Sequence, residues 1–569
     1  MSAFSTKPSW GLIPAYKMLL AGIFVAVIFC SLASSQAAPL LQSANIPGNE
    51  ACASCHAEIY QSYAKTVMAR ASGPAADGLI AGKFDDTISG VKYRVYRQDG
   101  KVLMTYDRDG RDKNKDKDKD PLHGQRELLY YIGSGVKGRT YVFAVDHFFF
   151  EAPINWYSQE NRWNMTPAYT DAKEVPLNLP LFSSCLVCHT SGLQQPVAGT
   201  DNKFSTQPFV HNGITCERCH GSGEAHSAGK GAIVNPAKLP PDRRDSICME
   251  CHFEGTVAID QPHKRLEQFR PGDLLSDYIH YYLLSSNEPT NPHSVSQFEA
   301  LSLSVCKRKS GDKMWCGSCH DPHSEPAPAE KAAYYRGKCL ACHGETFASR
   351  HHPDKQDCTA CHMPALPSKD VAHTEATDHR IRRYPTNPEL IVRTPVQKLE
   401  IFPESAADLA TDRDYALGWQ TLAERGLKTA SPQAEQYLQK AVIESPDDAG
   451  LLSALGFVEQ EKGHSDQARQ LYERALKADP LAGGAATNLG AIEARAGHLQ
   501  RAVQLWQQSF ERAPHRSVIG INLALAFCVA GQTDVARSYL TKVFEFNPDS
   551  IKAKELWTHL NADPVQCKF

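Results

Sequence analysis

Apolar and polar positions alternate most clearly at Val91-Lys92-Tyr93-Arg94-Val95-Tyr96 and again from Val102 to Tyr106, on either side of Asp99-Gly100. Period-two alternation across a two-residue turn dipeptide predicts a β-hairpin. Leu128 to Ile132 and Thr140 to Val145 continue the strand texture around Gly133-Ser134-Gly135. Together these segments predict a small β insertion, about residues 85–170. The charged run from Asp107 to Asp120 reads as a solvated loop. The aromatic stretch from Phe148 to Trp163 suits either hydrophobic core or the lining of a pocket.

A different period takes over beyond residue 403. Pro446, Pro480, Pro514 and Pro548 are 34 residues apart, and Ala434, Ala468, Ala502 and Ala536 keep the same step, as do Gly456, Gly490 and Ala524. A unit of that length with Leu-Gly early, Ala midway and Pro at its end is the tetratricopeptide pattern, one helix pair per repeat. The first copy, around Gly418, carries extra residues near Lys428 to Ser431. Four repeats plus a capping helix predict an α-solenoid over residues 403–562, which either docks protein segments or serves as a structural spacer. At the amino terminus, Met18 to Ala33 is an apolar run behind Lys7 and Lys17, followed by Ser35-Gln36-Ala37. Residues 1–37 therefore read as a secretory signal peptide, with an uncleaved membrane anchor as the alternative. The mature chain is expected in the periplasm or outside the cell, with no transmembrane segment of its own.

Composition narrows the class. The chain has 569 residues, 61 basic and 64 acidic, a net charge of −3, with 42% hydrophobic and 22% charged residues. These are globular values that exclude wholesale disorder and collagen, and the near-neutral charge gives no footprint for nucleic acid. The unusual count is 18 Cys beside 23 His.

Spacing explains the cysteines. Cys-x-x-Cys followed directly by His occurs at Cys52-Cys55-His56, Cys185-Cys188-His189, Cys216-Cys219-His220 and Cys248-Cys251-His252. It recurs at Cys316-Cys319-His320, Cys339-Cys342-His343 and Cys358-Cys361-His362. This is the attachment signature of covalent c-type haem (heme c): two thiols three positions apart reach the two vinyl groups of one porphyrin, and the adjacent His becomes the proximal ligand. Zinc pairs and disulfides also use Cys-x-x-Cys, but neither requires the following His. Seven motifs predict seven covalently bound haems, and attachment outside the cytoplasm agrees with a signal peptide.

Each haem iron can take a second axial ligand. His226 follows the third motif, His323 the fifth, and His373 and His379 the seventh, while His293 stands in PHSVSQF and His351 and His352 precede the seventh motif. Met68 is a further candidate, since Met is an accepted axial ligand. Reach constrains the pairing. Three residues span at most about 10 Å, so His323 cannot comfortably round a porphyrin to cap the haem of His320. His226, six residues after His220, faces the same difficulty. Each is expected to serve a neighbouring haem. Met68, about 18 Å along a helix from His56, would do the same.

Several stretches carry a family resemblance: ACASCHAEIYQSYAKTVMARAS, YYIGSGVKGRTY, GITCERCHGSGEAH, VNPAKLPPDRRDSICMECH, FRPGD, CGSCHDPH, CTACHMP and HTEATDHRI. They resemble the bacterial multihaem cytochromes c related to hydroxylamine oxidoreductase, pentahaem nitrite reductase and the tetrahaem cytochrome of ammonia oxidisers, in the branch fused to tetratricopeptide repeats. The resemblance implies compact haem pairs, mostly bis-histidine ligation and electron transfer along the haems. It also implies His226, His293, His323, His352, His373 and His379 as distal ligands. No C-x-x-C-K motif occurs, which departs from many nitrite reductases of that family. The expected architecture is mainly α: a heptahaem domain over residues 38–402, of helix and loop around the β insertion, then the solenoid. The expected function is electron transfer, with the repeats docking a redox partner protein. An oxidoreductase acting on a small nitrogen or sulfur species at one open haem, and a structural subunit of a haem filament, are the alternatives. In the mature chain, without Cys30 of the signal, Cys306, Cys528 and Cys567 have no assigned role, and their odd number leaves at least one thiol without an internal partner.

Overall fold

In the computed structural model the described residues are 48–109, 120–285, 293–351, 356–368, 370–371, 373–383 and 398–567. The signal peptide, His352 and most of the Asp107–Asp120 run lie outside them. The hairpin of Lys92–Gln98 and Lys101–Arg108 closes through Asp99 and Gly100, both at positive φ (50° and 79°), the type I′ geometry that this dipeptide favours. Gly82–Asp85 and Leu122–Leu128 flank it in a four-stranded antiparallel meander. Val91, Tyr93, Val95, Val102, Met104 and Tyr106 turn inward as the alternation requires. They pack on a second antiparallel sheet, ordered Ser72–Pro74, Tyr130–Ile132, Gly138–Val145, Ile154–Tyr157 and Arg162–Met165, with Phe148–Glu151 paired to Gly138–Val145. The β region thus begins at Ser72, earlier than alternation suggests, because its first two strands are short and contain Gly and Pro.

Beyond residue 410 the described helices form a stack of antiparallel pairs from Asp412–Glu424 to Ile551–Leu560. The repeat has a packing cause. A Cβ at Gly456 would lie 2.8 Å from the Tyr472 ring, and one at Gly490 would lie 2.5 Å from Trp506. At the third equivalent position the facing residue is the smaller Leu540, and Ala524 fits there fully buried. Ala434, Ala468, Ala502 and Ala536 are fully buried too, where paired helices approach most closely.

Both ends of the stack are joined to the rest of the chain. At the near end Ala416, Trp419 and Leu422 share a core with Val257, Ile259, Tyr282, Leu399 and Ile401. The last two lie on Lys398–Phe402, which extends the sheet of Val257–Asp260 and Ile279–Ser285. Buried Asp414 accepts from the Tyr282 hydroxyl at 3.3 Å and lies 2.7 Å from His280 Nδ1. A division at residue 403 therefore cuts through a common core. At the far end Phe546 packs on Phe148 and Phe150, and Arg108 grips Asp549 with two hydrogen bonds.

One disulfide, Cys528–Cys567, closes a 39-residue loop and pins Cys567 to the last repeat, and among the described residues Cys306 is the free thiol outside the motifs. Replacing both cysteines with Ala is expected to lower stability by about 2–3 kcal/mol through the lost loop constraint, measured by denaturant unfolding. No helix of the described residues is long and apolar enough to cross a membrane.

Candidate functional site

Four of the seven motifs share one turn. In the first, third, fifth and seventh, the backbone N–H of the His donates to the carbonyl of the first Cys at 2.9–3.0 Å, winding Cys-x-x-Cys-His into one helical turn. Both thiols and the imidazole then leave the same side of the turn. All fourteen motif cysteines are free thiols. Among the described residues no group of three or more His, Cys, Asp or Glu is arranged to hold a metal ion.

Instead the motifs surround a void of about 3270 Å³. It is lined by cysteines and histidines of the second, fourth, fifth, sixth and seventh motifs and by Cys219 of the third. Ordinary ligand pockets hold roughly 300–1,000 Å³, so the space is far too large for one small ligand. It fits several large apolar cofactors attached to those thiols.

Histidine rings confront one another in pairs, two of which, His320 with His379 and His362 with His351, line this void. His56 and His226 stack with centroids 6.3 Å apart, His220 and His323 at 5.8 Å, His320 and His379 at 6.2 Å, and His362 and His351 at 6.0 Å. Two metal–nitrogen bonds of about 2 Å each, plus half of each ring, require a separation of about 6 Å. The spacing suits one iron between each pair. Tautomers agree. Nδ1 of His220 donates to the Val234 carbonyl at 2.8 Å, that of His362 to Arg382 at 2.6 Å, and that of His379 to Thr377 at 2.9 Å. A carbonyl only accepts, so Nδ1 carries the proton and Nε2 keeps its lone pair for a metal. Burial holds His220, His252 and His379 below the ordinary histidine value and pulls His189 and His320 down to about 4, which favours the neutral, ligating form.

The remaining candidates are placed differently. Met68 and His293 line the void. His373 faces no motif histidine. Its Nδ1 lies 2.5 Å from Glu160 and its Nε2 accepts from the Asn164 amide at 2.7 Å, so both ring nitrogens are engaged. His351 is opposite His362, and His352 lies outside the described residues. The available signal was the four-residue step from Phe347 to His351 after Gly344, which stacks the two rings on one helix face. His189, His252 and His343 confront no second imidazole at this spacing among the described residues.

Thiols of different motifs also meet. Cys52 and Cys216, Cys188 and Cys251, Cys248 and Cys316, and Cys339 and Cys358 lie near enough to influence one another electrostatically. Cys219 senses Cys251, and Cys319 senses Cys342. The motifs therefore neighbour one another in the order first, third, fourth, fifth, sixth, seventh, with the second branching from the fourth. At that branch a carboxyl, Glu151, is buried against Cys185 and pushed up to about 7 by burial.

Comparison with known families agrees with these motifs. Residues 308–348 match the doubled CXXCH motif, and residues 156–221 match cytochrome c554 and c-prime. No curated protein matches the chain. Solved structures similar to part of it include MamA, at 21% identity over 25% of this chain and 80% of that one, with a TM-score of 0.22. MamA from Desulfovibrio magneticus is 20% identical over 26% of this chain and 86% of that one, with a TM-score of 0.24. A tetratricopeptide repeat protein from Parabacteroides merdae is 18% identical over 25% and 56%, with a TM-score of 0.23. The chain carries the features of a multihaem c-type cytochrome with covalently bound haem c, joined to a helix stack of the tetratricopeptide kind. This arrangement is consistent with electron transfer.

Proposed function

We propose that the chain is an exported heptahaem cytochrome that carries electrons along its haem array. Haem supplies one-electron chemistry at each motif, and the potential depends on ligands, burial and nearby charge. The observation that carries the reading is the succession of neighbouring motifs, first, third, fourth, fifth, sixth and seventh, whose cysteines influence one another electrostatically. Fourteen motif thiols would hold the cofactors. His226, His323, His379 and His351, whose rings lie about 6 Å from those of His56, His220, His320 and His362, would serve as their second ligands. The solenoid would dock a redox partner. Since its two ends pack against the haem half, the outward surface of the early repeats, bordered by Gln439, Glu459, Gln470 and Arg474, is the surface offered.

A second reading has its own support at the branch. His189 is buried, confronts no described imidazole, and lies with the buried carboxyl Glu151 on the same void. An oxidoreductase acting on a small nitrogen or sulfur species would use such a place, with Glu151 able to hold or release a proton near neutral pH. Haem content and a low-temperature spin-state spectrum of the exported protein test both readings. Seven haems per chain are expected, with low-spin signals dominant. A count near four sinks the heptahaem reading, and a strong high-spin signal in intact protein favours the enzyme.

A further inference from the structure

The third motif, Cys216-Glu217-Arg218-Cys219, places an arginine between its two cysteines, and that side chain turns inward. Arg218 Nη2 donates to the Val187 carbonyl at 2.9 Å and to Glu250 Oε1 at 2.7 Å. Val187 is a spacer residue of the second motif and Glu250 a spacer residue of the fourth. Those two motifs already face each other reciprocally. The Cys188 thiol lies 3.6 Å from the Glu250 carbonyl, and the Cys251 thiol lies 4.0 Å from the Val187 carbonyl. One guanidinium from the third motif therefore closes the contact between two others, at the point where the array branches.

Stability alone does not account for this pair. The side chains of Arg218 and Glu250 are 14% and 2% exposed, and a buried ion pair is often no more stabilising than apolar residues of the same volume. Its best-attested use is to fix register, and the planar guanidinium, with several donors in one rigid plane, suits two fixed acceptors better than a point charge does. Once haem is attached the cysteines lose their S–H groups, so the polar contact between these loops rests on Arg218.

We propose that Arg218 is a positioning residue of the haem array, holding the second, third and fourth attachment loops at fixed spacing and balancing the Glu250 carboxylate among them. This rests on the reading of the chain as a multihaem electron carrier. A charge in a low-dielectric interior shifts the potentials of nearby redox centres, upward if positive and downward if negative. Removing each partner should therefore move the same haems in opposite directions, which a merely structural pair would not do.

The test uses full-length haem-loaded protein with Arg218→Met, Glu250→Gln and the double variant, titrated spectroelectrochemically at pH 8. In Arg218→Met a subset of haems is expected to shift about tenfold or more toward the oxidised form, which is 59 mV for one electron. In Glu250→Gln the same subset should shift the other way, and the double variant should lie between. Shifts of one sign in both single variants, or none in either, overturn the proposal. If Arg218→Met fails to load haem, Arg218→Lys keeps the charge without the two-way contact. It should retain wild-type potentials while altering the magnetic coupling between haems seen by electron paramagnetic resonance, and unchanged coupling overturns the positioning role. A wild-type protein that lacks redox-active haem would instead sink the electron-carrier reading.

Discussion

Replacing Arg108 with Ala is expected to lower the unfolding free energy by about 3 kcal/mol, the low end of what breaking a buried ion pair costs. Its guanidinium meets Asp549 through Nη1–Oδ2 at 2.8 Å and Nη2–Oδ1 at 2.6 Å, and the two side chains are 6% and 2% exposed. The truncation leaves a carboxylate buried between the β region and the last repeat. Lys554, 2.8 Å from Asp549, still neutralises part of that charge and keeps the loss from reaching the upper end. The effect has a pH signature. Burial alone would raise the Asp549 carboxyl, but hydrogen bonds and charge from Arg108 and Lys554 outweigh it and hold the group below the ordinary aspartate value. A carboxyl lowered in the folded state contributes stability above its unfolded value near 4 and loses it as pH falls through the folded value. The gap between wild type and Arg108→Ala should therefore be full at neutral pH and narrow below about pH 4. Denaturant unfolding across pH, followed by helix circular dichroism, measures it. A gap under about 1 kcal/mol at pH 7 would mean that the far end of the solenoid is not held by this pair.

The same junction marks the limit of what the sequence could tell. Local periodicities were legible: Asp99-Gly100 closes its hairpin, and the 34-residue step places Gly456 and Gly490 under aromatic rings. The motifs were legible because the chemistry of attachment fixes residue type and spacing together. Pairings across long separations were not. Arg108 and Asp549 are 441 residues apart, and His280 and Asp414 are 134 apart. Nothing in the local pattern of either member points to the other. Nor did spacing point to His351, whose ring lies opposite His362 only because the segment after Gly344 turns it there. His373 shows the converse. Its sequence context, HTEATDH, suits a ligand, but strand Arg162–Met165 brings Asn164 to its Nε2, and Glu160 in the preceding turn takes its Nδ1. Arg218 and Glu250 were hidden for another reason: spacer positions inside a haem motif carry no pattern of their own.

Replacing His323 with Ala should change the spin state of a haem it does not follow in sequence. His323 lies three residues after His320, a stretch of at most about 10 Å even when extended, too short to pass around a planar macrocycle to its far face. Its ring stacks instead on His220, with centroids 5.8 Å apart and planes 14° from parallel. His320 is confronted by His379 at 6.2 Å. The haem held by Cys216 and Cys219 should therefore lose its second imidazole, while the haem held by Cys316 and Cys319 keeps both ligands. In low-temperature electron paramagnetic resonance one low-spin signal should disappear and a high-spin signal of equal weight replace it. Added imidazole, free to enter the space left by the missing side chain, should restore the low-spin signal, a rescue that general unfolding around the site would not show. Since Cys216 and Cys316 are a hundred residues apart, a shared iron would also tie the third attachment loop to the fifth, and the two thioether bonds should keep the haem on Cys216 and Cys219 in the variant. Attribution of the high-spin centre decides the matter. Pairing with His323→Ala the substitution His379→Ala, which should act on the fifth motif, must give two high-spin centres rather than one. A single centre would show that both histidines serve the same haem and that the stacked pairs are not ligand pairs.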